Sequence, residues 1–236
     1  MAKDVIIACD FPSMEATLAF LDRFGETRPY VKIGMELFYA SGPEMIRELK
    51  RRGHKIFLDL KLCDIPNTVK SAMSVLSKLD IDMTNLHIFG GHLMMEAALE
   101  GLTRPDGTRP ILIGVTILTS TGKQLMNEDM LIPGEVDDVV ESYAKTAKKS
   151  GLDGVVCSPR EASLVKKECG NGFITVTPGI RFADSSIDDQ VRVMTPAKAR
   201  EIGSDYIVVG RPITKADDPL AAYQRCRREF LENDAL

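Results

Sequence analysis

The stretch KIFLDLKLCDIPNT, residues 55–68, indicates how this chain folds. Its first seven residues alternate as in a β-strand, so Phe57, Asp59 and Lys61 share one face while two leucines share the other. Apart from Lys55 at the start and from Asp59 and Lys61, both faces are apolar, and a strand buried on both faces belongs in a parallel sheet covered by helices. The stretch therefore predicts an α/β protein in which one aspartate and one lysine project toward the interior.

Similar apolar runs occur eight times along the chain, with helix-like segments between them. They cover residues 5–10, 30–35, 55–61, 83–89, 111–118, 154–158, 173–180 and 206–211. Eight strand-helix units in 236 residues predict a (β/α)8 TIM barrel that forms a single domain over residues 1–236. A doubly wound sheet is the alternative. Polar residues at the carboxyl ends of several runs favour the barrel, because barrel enzymes build their sites at that face.

The composition argues against several kinds of partner. Thirty Lys and Arg residues against 34 Asp and Glu give a net charge of -4, so we expect no nucleic-acid partner and no binding to an anionic membrane. No apolar run reaches the roughly 18 residues of a membrane span, and the first run is too short for a signal peptide. Five cysteines without a CxxC spacing argue against disulfides or structural zinc. We therefore expect a cytoplasmic protein.

A row of alternating charges is the strongest functional signal. Lys32 lies in the second predicted strand, Asp59 and Lys61 lie in the third, and Asp64 follows it. Isolated buried charges are costly, so we expect these two ammonium groups and two carboxylates to offset one another. Carboxylates on both sides would hold Lys61 as an ammonium, which predicts a proton donor rather than a Schiff-base nucleophile. A purely structural ion-pair network is the alternative.

A second group of residues predicts an anion site. Arg181 follows the seventh apolar run, and Gly210 and Arg211 follow the eighth. Barrels often bind phosphate at this place, and a guanidinium matches phosphate oxygens. The polar segment 182–190, which ends at Gln190, is expected to be either a lid over the ligand or a plain surface loop.

Several motifs together resemble those of one enzyme family. Asp59-x-Lys61-x-x-Asp64-Ile65-Pro66-Asn67-Thr68 is similar to the signature of orotidine 5'-monophosphate decarboxylases, in their short bacterial form. Further matching motifs are ACD (8–10), VKIG (31–34), LTST (118–121), TPGIRF (177–182) and VVGRPIT (208–214). The resemblance covers nearly the whole chain.

The resemblance implies a (β/α)8 barrel that converts orotidine 5'-monophosphate to UMP and CO2 in de novo pyrimidine nucleotide biosynthesis, without a cofactor or metal ion. It implies that Lys61 protonates C6 of an electrostatically stabilised carbanion, that Asp59 presses on the substrate carboxylate, and that Lys32 completes the charge row. The substrate-binding positions of the family correspond to Asp10, Lys32, Thr68, Thr119, Arg181, Gln190, Gly210 and Arg211. In the family, Asp64 and Thr68 reach into the neighbouring subunit's site, which implies a homodimer.

Cys63 and the pair Ile88-Phe89, which precedes Gly90-Gly91 where smaller residues are usual, depart from the family pattern, and two other functions stay open. Cys63 stands where many bacterial relatives are expected to have histidine, which bears on packing near the subunit interface. A Mg-dependent sugar-phosphate decarboxylase or aldolase of the same superfamily would share Asp-x-Lys-x-x-Asp but lack the Ile-Pro-Asn-Thr continuation. A catalytically silent nucleotide-binding barrel is the other alternative.

Overall fold

The computed structural model of the chain describes residues 3–184 and 194–232. Eight parallel strands close into a barrel in chain order, and the first strand pairs with both the second and the eighth. The strands are β1 Asp4–Ala8, β2 Tyr30–Gly34, β3 Ile56–Leu62, β4 Met83–His87, β5 Ile111–Val115, β6 Gly154–Val156, β7 Ile174–Thr177 and β8 Tyr206–Val209. The closed barrel confirms the predicted (β/α)8 fold and excludes a doubly wound sheet.

Helices alternate with the strands and cover the outside of the barrel. They are α1 Met14–Asp22, α2 Met35–Arg51, α3 Pro66–Leu76, α4 His92–Leu102, α5 Lys123–Glu128, α6 Val136–Lys149, α7 Ala162–Cys169, α8 Pro196–Glu201, α9 Arg211–Thr214 and α10 Pro219–Leu231. Ser13 and Thr195 cap α1 and α8 through their side chains, as helix starts require. Within the two described ranges, no helix has the length and apolar character needed to cross a membrane.

The alternation in β3 has the predicted result. Phe57 packs inside the barrel with apolar side chains from other strands, whereas Leu58 and Leu60 pack outside, in the larger layer against the helices. Farther along the inner face of the same strand come Asp59 and Lys61. The strands are parallel, so this order places both charges toward the carboxyl-terminal mouth of the barrel.

The opposite end of the barrel is held by a repeated aspartate latch. Asp82, Asp153 and Asp205 each come directly before an even-numbered strand, and each accepts a backbone N–H from the preceding odd-numbered strand. The donors are Ile56 (2.8 Å), Leu112 (2.7 Å) and Thr175 (2.8 Å). Each carboxylate also pairs with a basic side chain, respectively Lys50 (3.1 Å), Arg109 (2.8 Å) and Lys166 (2.5 Å). The latches therefore join β3 to β4, β5 to β6 and β7 to β8.

The Asp205 latch is the most buried of the three and should contribute most to stability. Replacing Asp205 by alanine removes the counter-charge of the largely buried Lys166 ammonium and leaves the Thr175 N–H without its acceptor. We expect the free energy of unfolding to fall by about 3–5 kcal/mol, as measured by urea denaturation. Glu44→Ala, which breaks an exposed ion pair with Arg47 on α2, should cost less than about 1 kcal/mol. Equal losses in the two variants would contradict the assignment.

Candidate active site

Four charged side chains form a continuous row at the mouth of the barrel. Lys32 Nζ lies 3.0 Å from Asp10 Oδ1 and 3.4 Å from Asp59 Oδ2. The other oxygen of Asp59 accepts a hydrogen bond from Lys61 Nζ at 2.6 Å. The row therefore runs Asp10, Lys32, Asp59, Lys61 across the ends of three adjacent strands, and each ammonium faces a carboxylate.

Burial and charge act in opposite directions on this row. The side chains of Lys32 and Asp59 are only 11% and 10% exposed, whereas that of Lys61 is 27% exposed. Burial lowers the pKa of Lys32, but Asp59 and Asp10 outweigh it and place the pKa above its ordinary value. Burial raises the pKa of Asp59, but Lys32 and Lys61 outweigh it and place that pKa below its ordinary value. Both groups are therefore charged at neutral pH.

The backbone at Lys61 is unusual. Its φ of 51° lies in the left-handed region, which costs a residue with a Cβ about 1–2 kcal/mol. The pairing of β3 with β4 shifts register at the same place, between Leu58 and Leu62. The Lys61 N–H donates to the side chain of Asn85 at 2.8 Å, and Asn85 in turn donates to Asp59 at 2.7 Å. Asn85 was not predicted from the sequence; the amide in the predicted strand at 83–89 marks a polar position there but does not reveal this pair of contacts.

The row opens into a cavity of about 190 Å³ inside the mouth of the barrel. Its walls combine Lys32, Asp59 and Lys61 with Thr119 and with apolar side chains from several strands. The apolar lining residues are Phe57, Val115, Ile117, Leu118, Val156, Val176, Pro178 and Val208. A small cavity with a mostly apolar wall beside a charged row suits a flat, partly apolar ring that carries one anionic group. A larger groove of about 990 Å³ lies outside the barrel between α3 and α4, away from the row.

Gly34, at the end of β2, leaves space for the first ion pair of the row. A Cβ built there would lie 3.2 Å from both Asp10 Oδ1 and Lys32 Nζ, closer than most contacts of that kind. Any larger residue would press on the pair. Gly34 belongs to the VKIG motif at 31–34, but its role depends on contacts that the motif does not show.

Within the part of the chain that the structure describes, Asp64 is not brought into the row. Its carboxylate is exposed and accepts the backbone N–H of Ile65 at 2.7 Å. Thr68, at the start of α3, is exposed as well, and so is Cys63. These residues follow β3, and none of the three lines the cavity.

The predicted anion residues lie beyond the row, at the ends of β7 and β8. Arg181 is buried and donates to its own neighbour's carbonyl, that of Ile180, at 2.8 Å. Its backbone N–H donates to the carbonyl of Met194 at 3.0 Å. Gly210 and Arg211 are half-buried directly after β8, which neighbours β7. Gln190 and most of the segment 182–190 lie outside the described residues.

Acidic, thiol and imidazole side chains are the possible metal ligands in the part of the chain that the structure describes. Among residues 3–184 and 194–232, no group of three or more His, Cys, Asp or Glu side chains has the arrangement of a metal site.

Comparison with known proteins places this geometry in a family. The family model described as "Orotidine 5'-phosphate decarboxylase / HUMPS family" matches residues 3–226. Orotidine 5'-phosphate decarboxylases of Bacillus cytotoxicus and Geobacillus thermodenitrificans are each 54% identical over 233 residues, covering 98% of both chains. The crystal structure of orotidine 5'-phosphate decarboxylase from Lactobacillus acidophilus superposes with a TM-score of 0.88 at 42% identity, covering 98% of this chain and 100% of that one. The resemblance read from the motifs is confirmed: the chain belongs to the orotidine 5'-phosphate decarboxylase family.

Proposed function

We propose that this protein decarboxylates orotidine 5'-monophosphate to UMP and CO2, a step of de novo pyrimidine nucleotide synthesis. The observation that carries the proposal is the row in which Lys32, Asp59 and Lys61 face a cavity beside an apolar wall. This chain, which carries the row, is 54% identical to an enzyme named for this reaction. A merely structural ion-pair network would have no need of the adjoining cavity.

The chemistry follows from the charges. When the bond between C6 and the carboxylate breaks, the electron pair stays in the plane of the ring, where the π system cannot delocalise it. A preorganised ammonium beside C6 stabilises that pair, and electrostatic stabilisation of this kind usually contributes more to catalysis than any other effect. Lys61 then transfers a proton from Nζ to C6, which leaves a neutral amine that takes up a proton from solvent. Asp59 repels the substrate carboxylate next to it, and it accepts a hydrogen bond from Lys61 Nζ at 2.6 Å, which holds the amine in place.

Substrate binding is proposed to extend from the cavity to the last two strands. A cavity of about 190 Å³ is smaller than the roughly 300–1,000 Å³ of most ligand pockets, so it suits the pyrimidine alone. Asp10 and Lys32 would then hold ribose hydroxyls at the rim, and Thr119 would meet the ring edge. The phosphate would lie toward β7 and β8, where the family positions correspond to Arg181, Gln190, Gly210 and Arg211.

We also propose that two copies of the chain form a homodimer with shared sites. Exposed apolar side chains concentrate after β2, β3, β4 and β5, which are neighbours in the barrel. They are Met35, Tyr39, Ile65, Val75, Phe89, Leu93, Leu118, Leu125, Met130 and Leu131. Apolar surface of this extent at one side of a mouth is typical of an interface. Asp64 and Thr68 are exposed close to Ile65 in the chain, so each would be presented to the partner's row as the family resemblance implies.

A cytoplasmic location is part of the proposal. All five cysteines are free, and one of them, Cys63, is exposed. Free thiols persist in a reducing compartment, whereas secreted proteins tend to pair them.

One assay separates the proposed reaction from the two alternatives. We expect the purified protein to consume orotidine 5'-monophosphate, followed by its ultraviolet absorbance, at the same rate with and without excess EDTA. Loss of turnover in EDTA, with recovery on adding Mg²⁺, would instead indicate the metal-dependent sugar-phosphate enzyme. Binding of UMP without any turnover would indicate the silent nucleotide-binding barrel.

A further inference from the structure

Asn85 is a completely buried polar residue of β4 that contacts two members of the charged row, Asp59 and Lys61. Its exposed fraction is 0%, and the cavity wall in front of it is formed by Asp59 and Lys61. We propose that Asn85 is a positioning residue for the decarboxylation, whose amide fixes Asp59 and Lys61 relative to each other. This inference rests on the roles proposed above for those two residues.

The amide of Asn85 joins both ends of the reactive pair. Its Nδ2 donates to Asp59 Oδ1 at 2.7 Å, and its Oδ1 accepts the backbone N–H of Lys61 at 2.8 Å. The reverse orientation of the amide would set a donor against the N–H and an acceptor against the carboxylate. Only one orientation satisfies both partners, so the side chain is locked.

The amide also fills a gap in the barrel. Leu58 pairs with Thr84 and Leu62 pairs with Leu86, so four steps along β3 span only two along β4. Asn85 is the residue between those two pairs, and its side chain accepts the N–H of Lys61 where the regular strand pairing is interrupted. The hydrogen bond from the Lys61 N–H to Asn85 Oδ1 therefore supports the left-handed backbone conformation of Lys61.

The position of the Asp59 carboxylate depends on two hydrogen bonds to the same oxygen atom. Asp59 Oδ1 accepts from both Asn85 Nδ2 and Lys61 Nζ, the latter at 2.6 Å. Without the amide, the carboxylate is free to turn toward Lys32, and the backbone that carries the Lys61 side chain loses its support. A misplacement of about 1 Å at reacting groups can cost about 100-fold in rate.

The first test replaces Asn85 by leucine, which keeps the size of the side chain and removes both hydrogen bonds. We expect kcat for orotidine 5'-monophosphate to fall about 100-fold while KM changes less than about threefold. Thr84→Val is the matched control, because Thr84 is equally buried on the same strand but donates to the carbonyl of Leu58 at 3.0 Å. The control should lose stability and keep kcat within about twofold of the wild type.

The second test, Asn85→Asp, keeps the acceptor for the Lys61 N–H and turns the donor into a titratable oxygen. When protonated, the introduced carboxyl can donate to Asp59 as the amide does, and when ionised it repels Asp59. The kcat of this variant relative to the wild type should therefore rise as the pH is lowered from about 8 to about 5.5. Asn85 contacts Asp59 and Lys61 on β3, and Asp59 in turn pairs with Lys32 on β2. His87 is the titratable residue two positions along β4, and the residue that β5 pairs with Asn85 is the apolar Ile113.

The outcomes separate this inference from the proposed function. Asn85→Leu with kcat within about threefold of the wild type, or Thr84→Val with an equal loss, would overturn the positioning role. A pH-independent ratio for Asn85→Asp would overturn it as well, even if Asn85→Leu failed to fold. Lys61→Ala measured beside them tests the function itself: if that variant stays active, the proposed chemistry fails, whatever Asn85 does.

Discussion

Replacing Lys61 by alanine should abolish turnover of orotidine 5'-monophosphate, lowering kcat by at least about 10⁴-fold. The variant loses the proton donor, which is worth about 10²–10⁴-fold, and the charge that stabilises the carbanion, worth at least about another 10²-fold. The fold loses only the ion pair between Lys61 and Asp59, and the Lys61 side chain is more exposed than those of Lys32 and Asp59. The variant should therefore still fold. Stopped assays at high enzyme concentration would measure the residual rate.

Two measurements make that result specific. Binding of UMP, followed by calorimetry, should persist in Lys61→Ala, which shows that the barrel and its pocket are intact. Lys145→Ala removes an equally charged but surface lysine of α6, paired with Glu168 at 2.8 Å, and should keep kcat within about twofold. Residual activity of Lys61→Ala within about tenfold of the wild type would remove Lys61 from the role of acid.

Mixing two inactive variants should restore activity if the sites are shared between subunits. In a hybrid dimer of Lys61→Ala and Asp64→Ala chains, one site lacks both groups, whereas the other takes Lys61 from one chain and Asp64 from the other. Random exchange of equal amounts makes half of the dimers hybrids, so about a quarter of all sites should be intact. Activity should therefore rise from near zero to about a quarter of the wild-type value.

The mixing experiment needs its own control for subunit exchange. Chains carrying two different affinity tags, refolded together and purified through both, prove that hybrids are present. Mixing Lys61→Ala with Asp59→Ala gives no intact site, because both residues belong to the same row within one chain, and this mixture should stay inactive. Confirmed hybrids of the first mixture without any recovery would contradict the shared site.

The eight strands could be predicted because their apolar runs are short, dense and regularly interrupted. The ends of the strands could not be predicted, because several apolar runs continue beyond the last residue that pairs in the sheet. For example, β5 ends at Val115 although its apolar run continues to residue 118. Ile117 beyond the strand is still buried, so loop packing rather than strand pairing keeps this segment apolar. Hydrophobicity records burial, and at the mouth of a barrel loops are buried too.

The candidate site was predictable to the extent that it is charged. Lys32 and Asp59 stand out because an apolar strand rarely contains them, and the structure brings them together. Asn85 carries no charge, and its importance depends on a register shift between two strands, which a single sequence does not display. Asp64 and Thr68 stay predictions, because their proposed partners belong to a second chain.

The three aspartate latches at the base of the barrel have a consequence for how such an enzyme can change over time. They join three strand pairs at the end farthest from the cavity, and their hydrogen bonds do not involve the loops at the other end. Mutations that remodel the mouth can accumulate without undoing these fastenings. In a barrel built in this way, the contacts at the base can be retained while substitutions at the mouth change which substrates are bound.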